Sequence, residues 1–182
     1  TNPDGDYEMM NVGKVENRGL EVEWSGKLPY NFNYYTSYTY TDSEQKDNVT
    51  REDISLPTSG KQLPNSPKNL LNLTLGYDDG RYYSSVSGKY VGAFYGDMTN
   101  DEKVGGRTVF DLAAGVYLPV DKKIVKSAAL RFGILNLLDK EYLTSARTTV
   151  FNADARNGLS AATPYYNVGV ERTYSVSLEA TF

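Results

Sequence analysis

The sequence predicts an all-β chain: an antiparallel transmembrane β-barrel segment of about seven strands. Three observations lead there. Apolar and polar residues alternate with period two in separate segments along the chain. The connections between those segments are short and long in strict alternation. Aromatic residues fall in two bands on the apolar face, with aliphatic residues between them.

The first segment, residues 19–24, puts Leu20, Val22 and Trp24 opposite Glu21 and Glu23. A turn through Lys27, Leu28 and Pro29 follows. The second, residues 31–41, sets Phe32, Tyr34, Thr36, Tyr38 and Tyr40 against Asn33, Tyr35, Ser37, Thr39 and Thr41. The third, residues 69–77, sets Leu71, Leu73, Leu75 and Tyr77 against Asn72, Thr74 and Gly76. Asp78-Asp79-Gly80 is a tight-turn signal. The fourth, residues 81–94, lines up Tyr82, Val86, Tyr90 and Phe94 opposite Ser85, Ser87 and Lys89.

The fifth segment, residues 108–118, has Phe110, Leu112, Ala114, Val116 and Leu118 facing away from Asp111, Ala113 and Gly115. Pro119 to Lys123 form the next turn. The sixth, residues 128–135, separates Leu130, Phe132 and Ile134 from Arg131 and Gly133. The seventh, residues 173–182, alternates without a slip: Tyr174, Val176, Leu178, Ala180 and Phe182 on one face, Thr173, Ser175, Ser177, Glu179 and Thr181 on the other. Residues 7–15 have mixed character and read as a loop or the upper part of the first strand.

In an antiparallel meander, alternating connection lengths collect every short turn at one end and every long loop at the other. The long ones are residues 42–68, 96–107 and 143–171. Outer-membrane barrels have this polarity. Trp24, Phe32, Tyr77, Tyr82 and Phe182 lie toward the short-turn end. Tyr38, Tyr40, Tyr90, Phe94, Phe110 and Tyr174 lie toward the other. A bilayer girdle calls for two such bands, and a water-excluded core does not. The polar face, with Glu21, Glu23, Lys89, Asp111, Arg131 and Glu179, would line a wet lumen. In a soluble sandwich the same residues are a solvated face.

Composition narrows the classes. The chain has 182 residues, 13% aromatic, with 16 Tyr against 6 Phe and 1 Trp. Tyr suits an interface, having an apolar ring and a wet hydroxyl. On composition alone a Tyr-rich soluble carbohydrate-binding sandwich fits as well. Net charge is −4, so no basic stripe is available for nucleic acid. The chain has no Cys and no His. That removes disulfides, thiolate sites and the usual general base, and no enzyme, cofactor or metal site is expected. No run approaches the roughly 18 apolar residues of a membrane helix, but barrel strands need only about ten, half of them polar. The opening TNPDGDYEMM has neither an initiator Met nor a signal peptide, and reads as the inside of a longer chain.

Several stretches resemble one known family. These are Asn11-Val12-Gly13-Lys14-Val15 followed by Arg18-Gly19-Leu20-Glu21-Val22-Glu23, then Tyr38-Thr39-Tyr40-Thr41-Asp42 and Leu63-Pro64-Asn65-Ser66-Pro67. Further on come Tyr90-Val91-Gly92, the stretch from Gly133-Ile134-Leu135 through Asn136-Leu137-Leu138-Asp139-Lys140-Glu141-Tyr142, and the ending at Phe182. In that order they resemble the carboxyl-terminal third of the barrel of TonB-dependent outer-membrane receptors. One departure is Val170-Glu171-Arg172-Thr173, where the family often has Gly-Arg.

The resemblance implies a 22-stranded barrel, or roughly so, occluded by an amino-terminal plug. Residues 1–182 would be the carboxyl-terminal portion of that barrel, with the plug absent. It implies ligand capture by external loops and plug, and a TonB complex pulling on a short amino-terminal box. It also implies that Tyr174, Val176, Leu178 and Phe182 form the signal read by the barrel-assembly machinery. Seven strands do not close a barrel, whose smallest members have about eight.

The function implied is TonB-dependent uptake of a nutrient across the bacterial outer membrane, with a ferric siderophore as the commonest substrate of the family. Cobalamin, haem or a saccharide fits the residues equally. The alternatives are a passive porin or small structural barrel, and the soluble sandwich. Candidate ligand contacts lie in the last long loop: Arg147, Phe151, Arg156, Tyr165 and Tyr166, cations and aromatics suited to an anionic or planar chelate. Ordinary loop packing accounts for the same residues. Asp97, Asn100, Asp101 and Glu102 have no calcium-loop spacing and read as solvated loop. Asn48-Val49-Thr50 matches a glycosylation sequon, which carries no meaning in a bacterial outer membrane.

Overall fold

The computed structural model of the chain describes residues 12–51, 53–121, 123–148, 153–156 and 158–182. Asn11, Lys122 and Phe151, named above, lie outside the described residues, as do residues 7–10 of the opening segment.

Among the described residues thirteen strands follow in chain order: β1 (Val15–Lys27), β2 (Phe32–Gln45), β3 (Val49–Arg51), β4 (Ile54–Leu56), β5 (Asn69–Asp78), β6 (Tyr82–Val91), β7 (Phe94–Tyr95), β8 (Lys103–Val104), β9 (Arg107–Leu118), β10 (Ser127–Leu135), β11 (Leu143–Arg147), β12 (Tyr165–Val168) and β13 (Thr173–Thr181). Seven of them form one sheet in the order β1-β2-β5-β6-β9-β10-β13. Every pairing is antiparallel, so the sheet is an open meander with β1 and β13 at its edges.

The seven expected strands are these seven. β1 and β2 run further than expected, pairing from Val15↔Gln45 down to Lys27↔Asn33. The fourth is shorter. It ends at Val91, and Phe94 opens the separate β7 instead of joining the outward aromatic band. A Cβ at Gly92 would stand 3.1 Å from the Asn69 carbonyl oxygen, so the backbone turns there at a close approach. Phe94 is buried with Val104 and Ala146, and the half-buried Leu143 packs against them.

Short turns gather at one end. At β5–β6 the Asp79 carboxylate accepts the Arg81 and Tyr82 N–H groups at 2.8 and 2.7 Å. Gly80 takes φ +84°, which a side chain would oppose. Those bonds, that of Tyr82 first, and the Tyr77 hydroxyl hold the Asp79 carboxyl below its ordinary range. At the opposite end the long loops contain the small hairpins β3–β4, β7–β8 and β11–β12.

The two faces of the sheet differ as the alternation requires. Leu20, Val22, Trp24, Leu73, Val86, Phe132, Val176 and Leu178 stand on one face, all exposed. On the other face polar groups meet across strands. Tyr35 donates to Glu23 at 3.0 Å, Asn72 to Ser37 at 3.0 Å, Tyr117 to Asp78 at 3.1 Å, and Arg131 pairs with Glu179 at 2.8 Å. The Tyr83 ring lies over Gly115, where a Cβ would fall 2.2 Å from it.

Burial is inverted relative to a water-soluble protein. Many large apolar residues of the sheet are exposed, while Val49, Leu56, Phe94, Val104 and Ala146 are buried within the loops. Exposing that apolar face to water costs about 25 cal/mol per Å², and lipid removes the cost. The antiparallel ladder satisfies the backbone inside the sheet, as hydrocarbon demands.

Candidate ligand platform at the long-loop end

The three long loops do not stand apart. Asn65, from the Leu63–Pro67 motif, sits between all of them. Its backbone N–H donates to the Tyr95 carbonyl at 2.7 Å. Its side chain donates to the Ala146 carbonyl at 2.9 Å and accepts from the Ala146 N–H at 3.1 Å. The amide thus mimics a strand neighbour, tying the first loop to the second through Tyr95 and to the third through Ala146. Asn100 repeats the device. It accepts from the Gln62 N–H and donates to the Gln62 carbonyl, both at 2.8 Å.

Asp97 anchors the second loop to the third. Its buried carboxylate accepts from Thr99 Oγ1 at 2.7 Å, from the N–H groups of Asp101 and Glu102 at 3.0 and 3.1 Å, and from the Ala153 N–H at 3.2 Å. Arg156 grips Asp101 with both Nε, at 2.7 Å, and Nη2. Tyr166 donates to Glu102 at 2.8 Å. The acidic cluster is therefore not solvated loop. Its oxygens are engaged by backbone amides, hydroxyls and one guanidinium.

Of the expected ligand contacts, the structure joins Arg147 and Tyr165 as cross-strand partners in the β11–β12 hairpin, with Tyr166 beside them. Arg147 and Tyr165 are exposed at the outer end. Arg156 and Tyr166 brace the platform through Asp101 and Glu102. Phe151 lies outside the described residues. Sequence reasoning did not pick out Asn65 and Asn100 individually. Both have positive φ, at 53° and 59°, which Asn tolerates better than most residues. For Asn65 the flanking Pro64 and Pro67 were the available signal.

Burial raises the cost of charge on Asp101, but Arg156 and Thr99 outweigh it and hold its carboxyl below the ordinary aspartate range. A lowered folded-state pKa contributes stability above the unfolded pKa and loses it as pH falls through the lowered value. A nitroxide at exposed Ser160 should keep constant mobility from pH 8 to about pH 5 and loosen only below the ordinary aspartate pKa of about 3.9. Asp101→Asn should loosen it already at neutral pH, by about 1–2 kcal/mol of local opening. Equal mobility in both proteins at pH 7 would show that the clasp bears no strain.

Comparison with known proteins follows the same lines. The family model described as TonB dependent receptor-like, beta-barrel matches residues 1–137. The ferrichrome outer membrane transporter/phage receptor of Escherichia coli is 30% identical over 152 residues, covering 81% of this chain and 19% of that protein. The vitamin B12 transporter BtuB of Photobacterium profundum is 28% identical over 163 residues, covering 90% of this chain and 23% of that one. The crystal structure of the siderophore receptor PiuA from Acinetobacter baumannii superposes with a TM-score of 0.68 at 24% identity, covering 90% of this chain and 21% of that chain. The chain spans about a fifth of the length of these two curated relatives.

Proposed function

The chain belongs to the TonB-dependent receptor β-barrel family of the bacterial outer membrane, and on that premise we propose that it walls a receptor that takes up a ferric siderophore by TonB-driven transport. One observation carries the reading. Three long loops at a single end of the sheet are locked together through Asn65, Asn100 and Arg156, above a wall whose apolar face turns outward. A braced outer platform suits capture of a scarce solute, because fixed contacts lose less entropy on binding. A passive pore has no need of one.

In this proposal Arg147 and Tyr165 face incoming ligand, Phe151 is a further candidate contact, and Arg156 and Tyr166 act through Asp101 and Glu102 by fixing the loop. The plug and the box on which the TonB complex acts belong to the preceding part of the receptor. The exposed outward row Tyr174, Val176, Leu178 and Phe182 on the edge strand is the signal read by the barrel-assembly machinery. No chemical step is assigned, in keeping with relatives named as transporters and receptors. The relative named for vitamin B12 makes cobalamin the second candidate. A soluble sandwich would bury the apolar face that stands exposed here.

Cells lacking the gene should lose uptake of radioactive iron from at least one ferric siderophore. The full-length gene should restore it, and a protonophore should abolish it. Iron uptake that is unchanged by the deletion would contradict the siderophore reading. Cobalamin uptake lost instead would transfer it to the second candidate. Uptake indifferent to the protonophore would contradict energised transport.

A further inference from the structure

Below the loop platform, on the inner face of the sheet, lies a cavity of about 270 Å³. Lys89 of β6, Arg107 and Asp111 of β9, and Asn136, Tyr142 and Thr144 contribute to its lining. The position follows from the pairing. Lys89 opposes Val109, with Arg107 and Asp111 two residues to either side of it, so all three share the inner face.

Arg107 is held unusually. Its guanidinium carbon lies 5.3 Å from the centroid of the Tyr142 ring and 5.9 Å from that of Phe94. Two aromatic rings fix the cation in place without neutralising it. Its Nη1 is buried and has no hydrogen-bond partner. Among the described residues neither Arg107 nor Lys89 forms an ion pair. The carboxylate in the lining, Asp111, accepts the Asn136 N–H at 2.8 Å. The cavity therefore has two cations and one engaged carboxylate, and the Arg107 guanidinium is a positioned donor without a counter-ion among the described residues. A positioned donor of this kind is completed by an oxyanion.

The geometry points to a carboxylate subsite in this cavity, in which the Arg107 guanidinium pairs with a carboxylate group of the transported solute and Lys89 supplies the second charge. The lining carries one excess positive charge, which matches a monoanionic carboxylate better than a phosphate near charge −2. The volume is below that of a pocket for a whole ligand, about 300–1,000 Å³. It admits one carboxylate-bearing arm. The inference rests on the uptake reading for the arrival of a solute here. It narrows that reading to ligands with a free carboxylate.

Purified full-length receptor can be titrated calorimetrically with gluconate, a polar monocarboxylate, and with glucitol, its uncharged counterpart. Gluconate should bind at about millimolar Kd and glucitol should not. Arg107→Gln should weaken gluconate binding about tenfold or more, the loss of one charge-assisted hydrogen bond. Arg107→Lys should fall between, since an ammonium keeps the charge and loses the fork. Lys89→Gln, which leaves the aromatic stack intact, should weaken it several-fold and serves if Arg107→Gln does not fold. Absence of gluconate binding, equal binding of glucitol, or full affinity in folded Arg107→Gln would overturn the inference. The titration needs no transport, so failure here leaves energised uptake standing, and failure of uptake leaves this binding result standing.

Discussion

Replacing Asn136 by Ala should destabilise the receptor by about 3–5 kcal/mol, the largest single effect expected outside the membrane-facing surface. Asn136 is buried and has φ +52° just after β10. Its side chain donates to the carbonyls of Lys140 and Val170 at 2.9 and 3.0 Å and accepts from the Lys140 N–H at 2.9 Å. Its own N–H reaches Asp111 at 2.8 Å. One amide thus closes the Asn136–Lys140 turn and fastens it to the segment between β12 and β13.

Alanine removes three of these bonds, strands Lys140 and Val170 groups, and must hold a left-handed backbone. Asn136→Gly should recover about 1 kcal/mol through the backbone alone. Denaturant unfolding of the purified receptor measures the difference, and heat-modifiable gel mobility reports the folded fraction. A midpoint for Asn136→Ala within error of wild type would mean that this motif is incidental to the fold.

The second large effect sets two adjacent residues against each other. Leu73→Arg should cost about 2–4 kcal/mol, the cost of an arginine on the lipid face near the bilayer centre. Leu73 is 53% exposed on the apolar face, between the Tyr38–Leu71–Tyr90 row and the Phe32–Tyr77 pair. Thr74→Arg, one residue on, points to the polar face and gives up a 3.0 Å hydroxyl contact with Ser87. It should cost no more than about 1.5 kcal/mol. The comparison needs only the folded fraction in outer-membrane vesicles for each variant. Equal losses would mean that the two faces of β5 see the same surroundings.

The sheet was legible in the sequence because each of its strands separates two different solvents. A one-residue slip would put Leu73 in the lumen and Thr74 in lipid, so the pattern has to be strict. The loop hairpins were not legible for a corresponding reason. β7 and β8 have two residues each, too few to display any period. Phe94 kept the parity of the fourth strand and so passed for a member of the aromatic band, although the chain had already turned at Gly92.

The platform was less legible still. Arg156 finds Asp101 across 55 residues, and Asn65 finds Ala146 across 81. Spacing carries no trace of such pairs. It showed cations and aromatics in one long loop, but not that Arg156 is engaged by the protein itself. The stretch from Asn136 to Tyr142 stood out by resemblance, and its physical role appears only with Val170, 34 residues away. Arg107 gave no signal, since a lone Arg at a strand start resembles any other until two rings and an unfilled donor surround it.

The central claim is that the apolar face of this sheet meets lipid. The chain contains no Cys, so single cysteines along β5 can carry a nitroxide without background from these residues. In the full-length receptor reconstituted in bilayers, collision with dissolved oxygen should be read at residues 70–77. The account predicts a period-two profile with maxima at Leu71, Leu73 and Leu75 and minima at Asn72, Thr74 and Gly76. A flat profile, or maxima on the polar residues, would contradict it.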